Sequence, residues 1–347
     1  MSFISFPQTT SAPRQVFGEG ALTSDICIVG EAPSYHEVTS GRPFIGPAGQ
    51  LLNECMHQAK IIRAQCYVTN FIKEQLPPKK GDKKPIEAYV TNQGRLTEKG
   101  RMWQERLVEE LSNVKANIVV TLGAAATAAL APLHPVSKRR GYISRCYPLF
   151  QERKIIPTFH PASCLYGGNY INKFYIIHDL EKARAHSNTP EVVYDPEISY
   201  RAPQTISALR AALEPYMRCD IVSFDIEVSN FEMSCISFAS NSHEAVVVDL
   251  YDRDLWTESE ELEIYHMINQ ILSNPESVKI GQNLIFDIQF LISRYHIHTR
   301  GPIIDTMVGH SLIYPDFLKG LEFLGSIYTN RPYWKDMLKQ HLTKREG

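Results

Sequence analysis

The sequence predicts an α/β protein in two parts, the first with a parallel sheet at its centre. Apolar runs at 26–29, 117–122 and 155–159 each stop at a loop, and the first two give way to helical spacing, as buried parallel strands do. The chain has 347 residues, and about 150 is usual for one domain. A stretch rich in Pro and polar residues at 187–204 separates the two parts, and a strand ending in Asp225-Ile226-Glu227 follows it.

Hydrophobic residues at 44% and charged residues at 21% describe a globular chain with a sizeable core, not a disordered one. A formal net charge of -2 means that any grip on nucleic acid is a local patch. Seven cysteines, none in a Cys-x-x-Cys pair, argue against a disulfide framework or zinc ribbon and fit a reducing, cytoplasmic setting. The longest apolar run, 117–133, is interrupted by Thr121, Gly123 and Thr127 and is too short for a bilayer, so no membrane partner is expected.

Residues 1–21 read as a lead-in with little regular structure. Strand 26–29 ends at Gly30 and opens into a loop carrying Glu31 and Glu37, then Gly41, Pro43, Gly46, Pro47 and Gly49. That density of Gly and Pro brings backbone close to a ligand or holds unusual dihedrals. Phe44, between Pro43 and Ile45, is a flat ring that the rigid loop could hold out as a stacking platform. Residues 51–59 read as a helix, 66–70 as a strand ending in Asn70, 93–113 as a helix, and 123 onward as an alanine-rich helix. The lysines of 77–85 are a solvated turn or a phosphate contact, and Lys138-Arg139-Arg140 is a second basic cluster. Strand 155–159 ends in His160-Pro161-Ala162-Ser163.

Residues 30–52, GEAPSYHEVTSGRPFIGPAGQLL, resemble the first motif of the iron–sulfur type of uracil-DNA glycosylases, with Ser34 in place of a glycine and Ile45 in place of a valine. The segment from Thr69-Asn70 to Lys73, the Gly-Ala-Ala turn at 123, and the His160-Pro161-Ala162 triplet continue the resemblance. It implies a three-layer domain over 1–190 that flips a uracil out of DNA. Phe44 would stack on the base, with Gly30, Ala32 and Ser163 lining the pocket. Asn70 would read the uracil edge, an amide having one acceptor and two donors; alone, it reads better as a turn cap, and the motif favours recognition. His160 would stabilise the departing anion, and Glu37 or Glu31 would act on the sugar cation and water. Leu165 and Tyr166 fall where related enzymes wedge into the stack, and Lys79, Lys80, Lys138, Arg139 and Arg140 are the candidate phosphate contacts. The family's cluster-ligating cysteine is replaced by Glu74 and no N-terminal Cys-x-x-Cys exists, so no iron–sulfur cluster is expected.

After a linker at 191–204, residues 205–347 alternate strands and helices. Asp225 and Glu227 share one strand face, a site for Mg2+ or Mn2+. With Asn283, Phe286 and Asp287, and with Asp305-Thr306-Met307, they resemble the 3′–5′ exonuclease domain of family A DNA polymerases, an RNase H-like fold. The family's Tyr-x-x-x-Asp motif finds no match: Tyr328 is followed four residues on by Pro332, and Tyr333 by Met337, with Asp336 one position off. The resemblance therefore implies a partial exonuclease domain, inactive in this chain alone, in the N-terminal part of a bacteriophage-type polymerase. Uncovered apolar surface is then expected at Leu321, Phe323 and Leu324. Expected partners are uracil-containing or single-stranded DNA and the remaining polymerase or replication proteins. The alternative is a non-catalytic DNA-binding or docking module.

Overall fold

The structure, a computed structural model, describes residues 14–78, 84–165, 169–195, 198–252 and 254–335. The chain forms two compact units, Met1–Tyr194 with Gly325–Gly347, and Asp195–Leu324. The first unit carries β1 (Ile26–Gly30), α1 (Tyr35–Ser40), α2 (Pro47–Gln58), β2 (Cys66–Asn70), α3 (Glu98–Ser112), β3 (Ile118–Leu122), α4 (Ala124–Leu130), α5 (Val136–Arg139), β4 (Ser144–Arg145), β5 (Lys154–Thr158) and α6 (Ile171–Ala185).

Its sheet runs β2-β1-β3-β5-β4, parallel except for β4. The strands alternate their apolar residues between two cores. Cys27, Val29 and Val119 face Trp103, Leu107 and Leu111 of α3 and the alanines of α4. Ile26, Ile28 and Val120 face Leu52, Cys55 and Met56 of α2 and Ile176 and Leu180 of α6. Both faces are covered, which makes three layers and explains why these strands read as continuous apolar runs.

Over its described residues, 14–21, the lead-in has little regular structure beyond one bridge to the edge of β2, where Glu19 and Val68 exchange backbone hydrogen bonds at 2.9 and 2.8 Å. One expectation is corrected here. The helix expected over 93–113 begins only at Glu98, because Thr97 takes the Gly100 amide as N-cap at 3.2 Å. Thr91–Arg95 ahead of it is a turn closed by the Thr91 amide on the Arg95 carbonyl.

The second unit carries β6 (Ser199–Arg201), α7 (Ile206–Leu213), β7 (Ile221–Ser229), β8 (Glu232–Ala239), β9 (Glu244–Asp249), α8 (Glu258–Ser273), β10 (Val278–Gly281), α9 (Leu284–Tyr295), β11 (Ile303–Asp305) and α10 (Thr306–Ile313). α11 (Leu321–Tyr328) spans the division between the units. The sheet order is β11-β10-β7-β8-β9-β6: an antiparallel meander β7-β8-β9, with β10 and β11 parallel to β7. Leu209 and Leu213 of α7 and Ile264, Ile268 and Ile271 of α8 close a core on Val222, Phe224 and Val248. The expected linker at 191–204 is partly sheet, since β6 pairs with β9. The expected exposure of Phe323 and Leu324 is also corrected: both are buried, Phe323 edge-on to the rings of His310 and Phe317, while Leu321 is exposed. Among the described residues no helix is long and apolar enough to cross a membrane.

Candidate active site

Four adjacent strands of the first sheet end at one edge, and each delivers a residue there. Glu31 follows β1, Asn70 closes β2, Gly123 follows β3, and His160 stands two residues past β5. Carboxyl ends of parallel strands are the usual place for a site in such folds. Gly30 and Asn70 are partners in register, and the amides of Phe71 and Ile72 donate to the carbonyls of Gly30 and Glu31 at 2.8 and 2.9 Å, so these strand ends are locked together.

Glycine is required twice here. A Cβ on Gly30 would run into Cζ of Phe44 and Oδ1 of Asn70, so ring and amide meet directly over its Cα. A Cβ on Gly49 would strike the carbonyl of Phe44, whose own φ is +53°. The loop therefore wraps Phe44 onto the start of α2. Phe44 is 3% exposed: it is a floor within the site, not a ring held out in solvent. Its centroid lies 6.3 Å from that of His160, the planes tilted by 34°.

Asn70 is 2% exposed, and among the described residues neither its Nδ2 nor its Oδ1 has a hydrogen-bond partner. A buried amide without a protein partner is costly, and both of its polar atoms are left to meet a complementary edge. His160 accepts the Ala162 amide on Nδ1 at 3.1 Å, and burial pushes its pKa down to about 4. The imidazole is therefore neutral with its proton on Nε2, a donor that carries no charge.

The two glutamates differ. Glu37 is 5% exposed and its Oε2 accepts the Ser34 amide at 2.6 Å, a capping-box contact at the start of α1. Burial pushes the Glu31 carboxyl above the usual range, with Lys84 pulling the other way. Ser163 accepts from Nδ2 of Asn172 at 3.1 Å, which ties the loop after His160 to α6.

In the second unit Asp225 and Glu227 are exposed on β7, while Asp287 is buried with Oδ1 accepting the Ile226 amide at 3.0 Å. Desolvation and then the Asp287 and Glu227 charges push Asp225 up to about 6. Asp305 takes the amides of Asn283 and Leu284 at 3.0 and 2.8 Å, joining β11 to the start of α9. The three acidic candidates are electrostatically coupled but not gathered: among the described residues no group of three ligands is poised to hold a metal.

The first unit matches the uracil-DNA glycosylase superfamily over residues 17–181, and the second matches a 3′–5′ exonuclease family over 200–345. A Type-4 uracil-DNA glycosylase of Thermotoga maritima is 31% identical over 172 residues, 49% of this chain and 81% of that protein. The chain belongs to the uracil-DNA glycosylase superfamily. A second Type-4 uracil-DNA glycosylase, from Sulfurisphaera tokodaii, is 31% identical over 184 residues, 50% of this chain and 75% of that protein. Among solved structures, RNase D of Escherichia coli aligns at 15% identity and a TM-score of 0.31, with 38% of this chain covering 34% of that one.

Within this glycosylase-superfamily chain the basic candidates separate. Lys138 is exposed on α5 and Arg139 lies 4.1 Å from the centre of the Tyr333 ring. Arg140 is not a surface contact: it is 2% exposed, forked onto the Asp179 carboxylate and bonded to Ser326 Oγ at 3.0 Å, which corrects its expected role on DNA. Leu165 is exposed; Lys79, Lys80, Tyr166 and Asp336 lie outside the described residues. Ala32 is half-buried beside the α3–α4 core. Sequence reading missed Lys73, which is buried and donates to the Asn70 carbonyl, and the half-buried Glu110 paired with it. A lysine three positions past a strand end carries no signal of burial, and only the fold brings Glu110 to it.

Proposed function

We propose that the first unit recognises a flipped uracil in DNA and hydrolyses its N-glycosidic bond. The observation that carries this is the Asn70 amide, buried, without a hydrogen-bond partner among the described residues and set against Phe44 over Gly30, with the His160 ring 6.3 Å from that of Phe44. Its acceptor suits uracil N3–H and its donor suits O4, while the neutral His160 offers Nε2–H to O2. As the C1′–N1 bond breaks, its electron pair goes to uracil, where the charge on O2 is met by that donor. Water supplies the oxygen that bonds to C1′, and its proton is lost. Glu31 is the better candidate to accept that proton, because Glu37 already holds the Ser34 amide and Glu31's raised pKa fits a base. Products are free uracil and an abasic sugar.

In the second unit Asp225, Glu227 and Asp287 would hold Mg2+ or Mn2+, which would polarise a phosphodiester and its attacking water when bound. The exonuclease match supports a place beside a DNA polymerase, of the kind bacteriophages carry, with uracil-bearing or single-stranded DNA as ligand and replication proteins as partners.

The capping contact at Glu37 also supports a second reading, a pocket that binds uracil without cutting. One experiment separates them: measure free base released from uracil-containing single- and double-stranded DNA, with binding of the same strands in parallel. Release that is lost in His160→Ala supports hydrolysis. Binding without release supports the second reading, and neither binding nor release overturns both.

A further inference from the structure

Lys73 is among the most buried charged groups in the molecule, 2% exposed, and the chemistry above does not use it. Its ammonium donates to Thr69 Oγ1 at 2.7 Å and to the backbone carbonyl of Asn70 at 2.6 Å, and pairs with Glu110 Oε2. Glu110 in turn accepts from Tyr67 Oη at 2.9 Å, Thr69 Oγ1 at 2.8 Å and the Gly18 amide at 3.1 Å. Lys73 thus joins Thr69 and the Asn70 carbonyl at the end of β2 to Glu110, and Glu110 fastens that strand end to α3.

We infer that the Lys73–Glu110 pair is a positioning device for Asn70 that sets the choice of uracil over cytosine. The inference rests on the uracil reading of the site. Uracil and cytosine differ at position 4 and N3: uracil presents an acceptor and a donor, cytosine a donor and an acceptor. An amide side chain discriminates between them only while its oxygen and nitrogen are held in one orientation, because a half-turn about its last torsion exchanges the two. Among the described residues the Asn70 side chain has no hydrogen bond of its own to fix that orientation. Its backbone carbonyl, clamped by Lys73, fixes the peptide plane from which the side chain starts, and the contact of Oδ1 over Gly30 restricts the rest. Without the clamp the amide samples both orientations, and discrimination falls while stacking on Phe44 persists.

The test uses the full chain and four proteins: wild type, Lys73→Met with Glu110→Gln, Asn70→Ala, and the triple combination. Removing both charges together leaves no buried ion without a partner. The readouts are kcat/KM, or Kd where release is silent, for otherwise identical strands bearing uracil or cytosine, with circular dichroism and Tm. The expected result is a fall of about tenfold or more in the uracil-to-cytosine ratio of the double variant, the scale of one lost hydrogen bond, and no further fall when Asn70 is already Ala. A ratio unchanged in the folded double variant overturns the inference alone, as does an equal loss on the Asn70→Ala background, which is the mark of general loosening. Should the double variant fail to fold, Thr69→Val, which removes one arm of the clamp, carries the same comparison. A wild type that neither releases nor binds uracil overturns the reading of the site and the inference with it.

Discussion

At His160 the Ala162 amide occupies Nδ1, so the lone pair is on that nitrogen and the mobile proton on Nε2. In the proposed reaction a neutral donor would meet the developing charge on O2 without first having to be desolvated as a cation. His160→Ala is expected to lower base release on the order of 10²–10³-fold, the usual loss for one such donor; an unchanged rate removes His160 from the chemistry. The titration gives an independent check. The unfolded chain protonates this ring near its ordinary value of 6.5, whereas the folded chain holds off until about 4. Stability is therefore complete above 6.5 and falls as the pH drops towards 4. The Tm of His160→Gln should fall less on acidification from about pH 7 to about pH 5 than that of wild type. Gly30 is the other residue on which the site turns. Gly30→Ala places a methyl where Phe44 and Asn70 meet, so uracil binding should be lost with a drop in Tm. Retained binding would mean that ring and amide can part without consequence.

Among the elements, strand ends and glycines were legible. The runs 26–29, 117–122 and 155–159 became β1, β3 and β5 because both their faces are buried, and the glycines at 30 and 49 mark close approaches that a side chain would block, while Gly123 holds a φ of +87°. What the sequence could not convey was direction. Phe44 turns inward on a left-handed backbone, and β6 adds to a sheet edge from a stretch that reads as linker. The Lys138-Arg139-Arg140 run divides because helix α5 ends inside it, sending Arg140 inward to Asp179 of α6 while Lys138 stays in water. Arg140→Met leaves the Asp179 carboxylate buried without its partner and should cost on the order of 3–5 kcal/mol in unfolding free energy. Lys138→Ala should change stability by no more than about 0.5 kcal/mol, yet lower the salt dependence of DNA binding by about one ion. If both variants weaken DNA binding equally and neither lowers stability, the division of this cluster is wrong.

On the scale of the whole molecule, the two units carry separate hydrophobic cores, one pair around the parallel sheet and one around the mixed sheet. Each core is large enough to unfold cooperatively by itself, so calorimetry should resolve two transitions, and each should answer to its own ligand. Free uracil should raise one of them, an effect lost in Asn70→Ala. The other should carry the mark of Asp225. That carboxyl has an ordinary value of 3.8 and is pushed to about 6 in the folded chain, first by desolvation and then by its acidic neighbours. A group raised on folding adds its stability below the unfolded value and loses it as the pH climbs through the folded one. Without metal, the second transition should therefore move down as the pH rises through about 6. Above that pH the Asp225 carboxylate is charged beside its acidic neighbours, which is the state a divalent cation relieves, so Mn2+ or Mg2+ should move the transition back up. Below it the cation competes with protons and should do little. Asp225→Asn removes the repulsion and a ligand together, so its transition should lie higher than wild type without metal at about pH 7.5 and respond only weakly to metal. A metal response of full size in Asp225→Asn would mean that the cation sits elsewhere, and a transition indifferent to both pH and metal would mean that the three carboxylates do not act as one site.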